Sequence, residues 1–206
     1  NRTIALKAAK NMATYALLLD SDMVLNIHTT FNKQNLNADA YLIQQGGENF
    51  KYFNLRLVKL SLDVTCVSPT HEYYRLPENS LQEKLYSLFI SDIGDGGCKE
   101  NKFKRDIRLL TKGIQEEPKN DRYYFYLANS YFNIQDYEKA IIHYKKRIEL
   151  GGWYEEVYYS YLRLGTIYLR ISQDEKALCA WLEGYNHHPL RNECIYEITK
   201  YYRIHS

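Results

Sequence analysis

Long apolar runs are missing from this 206-residue chain. None approaches the roughly 20 residues that span a bilayer, so no transmembrane helix is expected. No secretory signal peptide opens the chain either. A surplus of one charge is missing too: 27 Lys and Arg stand against 25 Asp and Glu, a formal net charge of +2. Whole-molecule charge therefore gives no reason to expect nucleic acid or a membrane surface as partner. Cysteine is sparse. Cys66, Cys98, Cys179 and Cys194 form no C-x-x-C pair and fit no zinc module. They read as isolated reduced thiols in a cytoplasmic protein. An initiator methionine is absent and Asn1 begins mid-pattern, so an upstream segment is expected.

What is present is an ordinary globular balance, 45% hydrophobic and 25% charged, which suffices for one large core or two small ones. Tyrosine stands out with 21 copies. Aromatic side chains suit sugar stacking, but most of these tyrosines fall at the spacing of a helical core.

The pattern changes near residue 100. Before it, short apolar runs alternate with turns. Arg2 to Met12 is rich in Ala and Lys and reads as a helix. Tyr15-Ala16-Leu17-Leu18-Leu19 reads as a buried strand ending in Asp20. Helix followed by buried strand suggests an α/β unit. Ala40–Gln45 and Phe50–Leu60 are strand-like around a hairpin loop at Gly46-Gly47-Glu48-Asn49. Asp63–Val67 and Leu85–Ser91 read as further strands, with a polar loop at Arg75–Ser80 between them.

From Lys102 onward the pattern is helical and repeats. A repeat begun at Asp121 places Tyr124, Leu127, Ala128, Tyr131, Ala140 and Tyr144 at set positions. A repeat begun at Tyr158 places Tyr161, Leu164, Gly165, Tyr168, Ala177 and Trp181 at the same ones, and Pro189 closes it. Small residues let paired helices approach while aromatics fill the gaps. These landmarks resemble the tetratricopeptide repeat. Phe103–Glu117 reads as the second helix of an earlier repeat, and Glu193–Tyr202 as a capping first helix.

Several residues could carry chemistry. Asp20-Ser21-Asp22 follows the buried strand directly, where ligand sites of α/β sheets gather. Two carboxylates one residue apart can share a divalent cation that neutralises a diphosphate, though acidic turns after strands are common. Gly94-Asp95-Gly96-Gly97 exposes backbone N–H groups and could approach a phosphate, or could be a turn. His187-His188 sits in an inter-helix turn unsuited to a metal. Trp153, after Gly151-Gly152, reads as a wedge between repeats rather than a sugar platform.

Taken in serial order, these stretches resemble family 2 glycosyltransferases of GT-A fold with a C-terminal tetratricopeptide tail. The resemblance runs from Asn1-Arg2 through Asp20-Ser21-Asp22, His71-Glu72-Tyr73 and Gly94-Asp95-Gly96-Gly97-Cys98. It continues through Lys102-Phe103-Lys104-Arg105-Asp106, Tyr124-Phe125-Tyr126-Leu127-Ala128 and Gly151-Gly152-Trp153-Tyr154-Glu155-Glu156-Val157. The nucleotide-binding segment that opens members of this family is absent. The resemblance implies a partial GT-A α/β domain over residues 1–100 and an all-α tetratricopeptide-like array over 101–206.

It further implies Mn2+ or Mg2+ held by Asp20 and Asp22 with help from His71, and Glu72 as the base that takes an acceptor proton. Read from the residues, Gly96 and Gly97 of the glycine loop and Lys102 and Arg105 after it could reach a diphosphate, or could be a turn and solvated helix-start cations. The expected activity is transfer of a sugar, with inversion, from a nucleoside-diphosphate sugar to a hydroxyl on a glycan, protein or lipid-linked acceptor. One alternative is a tetratricopeptide scaffold that binds a protein partner beside a degenerate transferase domain. Another is a metal-dependent hydrolase of nucleotide sugars.

Overall fold

The computed structural model describes residues 2–48, 50–93 and 102–205. The chain forms two compact units, each with its own core. The first comprises Asn1–Val67 and Glu72–Lys99; the second comprises Ser68–His71 and Glu100–Ser206.

The first unit starts with helix α1 (Arg2–Ala9), followed by strands β1 (Tyr15–Leu17), β2 (Met23–Ile27), β3 (Ala40–Gly46) and β4 (Lys51–Lys59). Two short strands, β5 (Thr65–Val67) and β6 (Tyr73–Arg75), form a separate antiparallel ribbon. The long β7 (Gln82–Asp92) completes a five-stranded sheet of order β1-β4-β3-β7-β2. β3 lies at the centre because both of its faces are apolar or internally satisfied. Tyr41 and Ile43 pack on one side with Leu57, Leu88 and Ile90, and Ala40 packs on the other with Val58, Leu60 and Leu6. The β3–β4 hairpin turns at Gly46, whose φ of +140° and a Phe50 carbonyl 2.1 Å from any added Cβ admit only glycine.

This is not the GT-A α/β arrangement expected from the sequence. Only β3 and β7 run parallel; the other three pairings of the sheet are antiparallel. A parallel α/β sheet needs crossover helices on its faces. Among the described residues of this unit there is one α-helix, α1. The strand expected to deliver Asp20 into a cleft is a three-residue edge strand, antiparallel to β4. The unit is α+β; one hairpin, β3–β4, lies in its sheet, and the other pairings join strands distant in sequence.

The second unit is all helix apart from the Ser68–His71 strap: α2 (Lys102–Glu116), α3 (Asp121–Asn133), α4 (Tyr137–Leu150), α5 (Tyr154–Arg170), α6 (Asp174–His187) and α7 (Glu193–His205). The ends of α3 and α5, the starts of α4 and α6, and the ends of α4 and α6 are each offset by 37 residues. The turns obey the same offset. Gln135 and Ser172 both take positive φ, 62° and 58°. The Asp136 N–H donates to the Tyr131 carbonyl at 3.0 Å, and the Gln173 N–H to the Tyr168 carbonyl at 2.8 Å. Ala140 and Ala177 are fully buried where the paired helices cross. Gly165 lies under Trp181, whose indole nitrogen would be 2.3 Å from an added Cβ. The helical-hairpin repeat read from the sequence is therefore the repeat of the structure.

Candidate functional site

The first helix of each hairpin buries one stripe and leaves a second on the other side. On α3 the core takes Leu127 and Ala128, while Tyr126, Asn129 and Asn133 share the opposite stripe at helical spacing. On α5, Tyr159 and Arg163 occupy the matching stripe, four residues apart. These side chains, with His71, Lys102 and Asp106, line a cavity of about 280 Å³.

The polarity of the cavity follows from its hydrogen bonds. Burial raises the Tyr144 pKa well above that of a free phenol, so its hydroxyl stays protonated. That hydroxyl donates to Asn129 Oδ1 at 2.6 Å, so the oxygen of this amide is the engaged acceptor and its NH2 is the donor end. Arg163 has its guanidinium carbon 4.5 Å from the centroid of Phe132 and 4.9 Å from that of Tyr159, and donates to the Tyr159 hydroxyl at 2.5 Å. Its Nε is buried and has no hydrogen-bond partner among the described residues. Lys102 supplies a second cation at the rim. The His71 imidazole stacks on Tyr126 with centroids 3.9 Å apart and planes 12° from parallel. Burial of that ring, then Lys102, lowers its pKa, which favours the neutral form. Asp106 is buried and meets Arg105 at 3.4 Å. The cavity is thus rich in donors, walled by aromatic rings, and carries more positive than negative charge.

Of the residues predicted from sequence, His71 and Lys102 come together here. Arg105 belongs to the same unit but pairs with Asp106. Gly96 and Gly97 lie outside the described residues. Asp20, Asp22 and Glu72 belong to the first unit. There the Asp20 carboxylate is held by Arg2 and by Arg56, the latter at 3.6 Å, and Glu72 meets Arg2 at 3.0 Å. Arg56 is buried, bonds Gln45 at 2.8 Å, and Gln45 in turn donates to Asp92. Asp20 and Glu72 are therefore partners in an ion-pair and amide network that ties α1 to the sheet. Such a donor set does not fit Mn2+ or Mg2+: guanidinium groups occupy the charge a cation would need. No group of three or more His, Cys, Asp or Glu able to hold a metal exists among the described residues. The metal-binding D-x-D reading is corrected accordingly. Trp153 is also corrected. The residue is 57% exposed, and its backbone carbonyl, which accepts from Arg147 at 3.1 Å, makes the inter-repeat contact.

Sequence reasoning missed Arg163, Asn129, Asn133 and Tyr159. The signal was available: polar and aromatic residues recur on the non-core stripe of both first helices.

No family model and no curated protein matches the chain. Solved structures similar to it include the first TPR of Spaghetti (RPAP3) bound to an HSP90 peptide, at 21% identity, covering 52% of this chain and 82% of that one, with a TM-score of 0.45. The N-terminal domain of stress-induced protein-1 from C. elegans gives 17% identity, 50% and 83% coverage, and 0.47. The Arabidopsis OM64 TPR domain gives 18%, 52% and 86%, and 0.46. None of these is a glycosyltransferase. With no transferase family matched, and with the sheet and the Asp20 pairing described above, the family 2 resemblance and the assignment of the chain as a sugar-nucleotide enzyme are both withdrawn. No helix among the described residues is long and apolar enough to cross a membrane.

Proposed function

We propose that the chain is a protein-binding scaffold whose helical array holds an extended, acidic segment of a partner protein. One observation carries this reading: the donor-rich cavity on the α3 and α5 stripe, where Arg163 Nε is buried without an acceptor among the described residues. An unsatisfied buried donor costs about 1–3 kcal/mol, and a carboxylate on the partner relieves it with a charge-assisted bond. Tyr126 and Tyr159 supply rigid apolar walls for neighbouring side chains. The reading places the scaffold in the cytoplasm, since Cys66, Cys179 and Cys194 are all free. Burial raises the Cys66 and Cys194 thiols to about 11, which keeps them unreactive.

The test is fluorescence polarisation with labelled twelve-residue peptides, one set rich in Asp and Glu between Leu residues, the other with Lys replacing the acids. The acidic set should bind, and Arg163→Ala should weaken it about tenfold or more, in line with a lost charge-assisted bond. Equal affinity for both sets, or no change on Arg163→Ala in a folded variant, would overturn the reading.

A further inference from the structure

One face of the first unit's sheet is covered at its Ala40 end by Leu6, Val58 and Leu60, and is only half-buried beyond it. On it, β-strand partners form cross-strand rows: Phe53, Gln44, Phe89 and Asn26 in one, Lys51, Gly46, Ser91 and Val24 in the next. Lys84 stands opposite Leu42 in a third. Outward positions of a half-covered sheet are ordinarily polar. Here two phenylalanines sit in the middle, half-buried rather than sealed, with Tyr86 edge-on to Phe53 at 5.5 Å and 72% exposed. Each phenylalanine has an ammonium over its ring: Lys84 at 4.7 Å from the centroid of Phe53, and Lys51 at 5.1 Å from that of Phe89. These rows contain no carboxylate. Asp92 and Glu83 alternate to the opposite face, where Asp92 bonds Gln45.

We infer that this face is a binding platform for single-stranded nucleic acid. Phe53 and Phe89 are two strands apart, ~10 Å at the usual strand spacing, so each can take a separate base on its ring face. Lys51 and Lys84 swing off the rings to meet the flanking phosphates. Gln44 lies between them with an amide for base edges, while beside Phe89 the Asn26 amide already donates to Ser91 Oγ at 2.9 Å. Rings that stack and cations that neutralise are the two parts a sequence-tolerant single-strand site needs. The net charge of +2 hides this, because acidic residues elsewhere balance the local excess. The platform is independent of the helical cavity and of its proposed peptide.

The experiment is fluorescence anisotropy of the full chain with fluorescein-labelled dT12 and rU12, across a salt series. Binding should weaken with salt at a slope of about −1.4 in log K against log concentration, two phosphates being neutralised on a single strand. Lys51→Gln with Lys84→Gln should flatten that slope to near zero. Phe53→Leu and Phe89→Leu should each weaken binding about tenfold while leaving the slope unchanged. The lysine variants are surface changes, so they keep the test decisive if a phenylalanine variant unfolds. No binding of either oligonucleotide would overturn the inference. So would equal binding of a duplex or of a sulfated glycan, an unchanged slope in the lysine variant, or concentration-dependent self-association through this face in place of oligonucleotide binding.

Discussion

Arg147 is fully buried, yet charged, because the chain wraps acceptors around it. Its guanidinium meets Glu156 at 3.2 Å and Asp121 at 3.3 Å, and donates to the carbonyls of Gly151 and Trp153. Gly152 makes room for this: it has φ +92°, and an added Cβ would fall 2.1 Å from Asp121 Oδ2. Arg147→Ala should cost about 3 kcal/mol in urea unfolding, because Glu156 is left buried with Arg122 as its remaining partner; wild-type stability would remove this cluster as the lock between the repeats. A second residue-scale prediction concerns acid. His143 stacks on Tyr131 at 5.5 Å, its Nδ1 is buried without a partner among the described residues, and burial lowers its pKa. A histidine with a depressed folded pKa stabilises the fold above its unfolded value of about 6.5, and that contribution is lost as pH falls below it. His71 acts in the same direction. Tm should therefore fall between pH 7.5 and 5.5, and His143→Gln should recover part of the loss. Glu193, held at about 2 chiefly by its hydrogen bond to Arg191, acts only in a lower window, below about 4.5. The sequence showed Asp20 and Asp22 as a pair, but not that Arg2 and Arg56 hold Asp20. Arg56 is 36 positions away along the chain, and only the β1–β4 pairing brings it close.

Helices were more legible than strands. Repeat landmarks such as Ala140, Ala177, Gly165 and Trp181 are local in sequence and fix helix crossing by size alone, so they survive translation into structure. Strand identity depends on partners far along the chain. β2 (Met23–Ile27) went unread because it is an edge strand whose neighbour among the described residues is β7, more than sixty residues on, and Val24 and Ile27 remain exposed. β6 went unread because its three residues have sense only beside β5. The α/β reading failed for the same reason: helix followed by strand is a local pattern, whereas sheet direction is set by long-range pairing. At this scale the repeat register itself can be tested. Gly165→Ala would press a methyl into the fully buried Trp181 and should cost about 1–3 kcal/mol. Gly47→Ala, with nothing within 4 Å of its added Cβ, should change stability by no more than about 0.5 kcal/mol. Equal effects would mean that the close approach of α5 and α6 is not what holds the second hairpin.

The whole molecule joins an α+β sheet unit to a helical array, and the account of function rests on the array. Its core holds aromatics such as Tyr144 and Trp181, while donors and rings of α3 and α5 line one cavity. The measurement that tests the central claim most directly is backbone and side-chain NMR shift mapping of the full chain during titration with the acidic twelve-residue peptide. The account predicts that perturbations centre on Tyr126, Asn129, Asn133, Tyr159 and Arg163, with a new slow-exchanging signal for the Arg163 Nε–H once it gains an acceptor. Saturable binding whose perturbations fall instead on α4 and α6, or no saturable perturbation of the array, would contradict it.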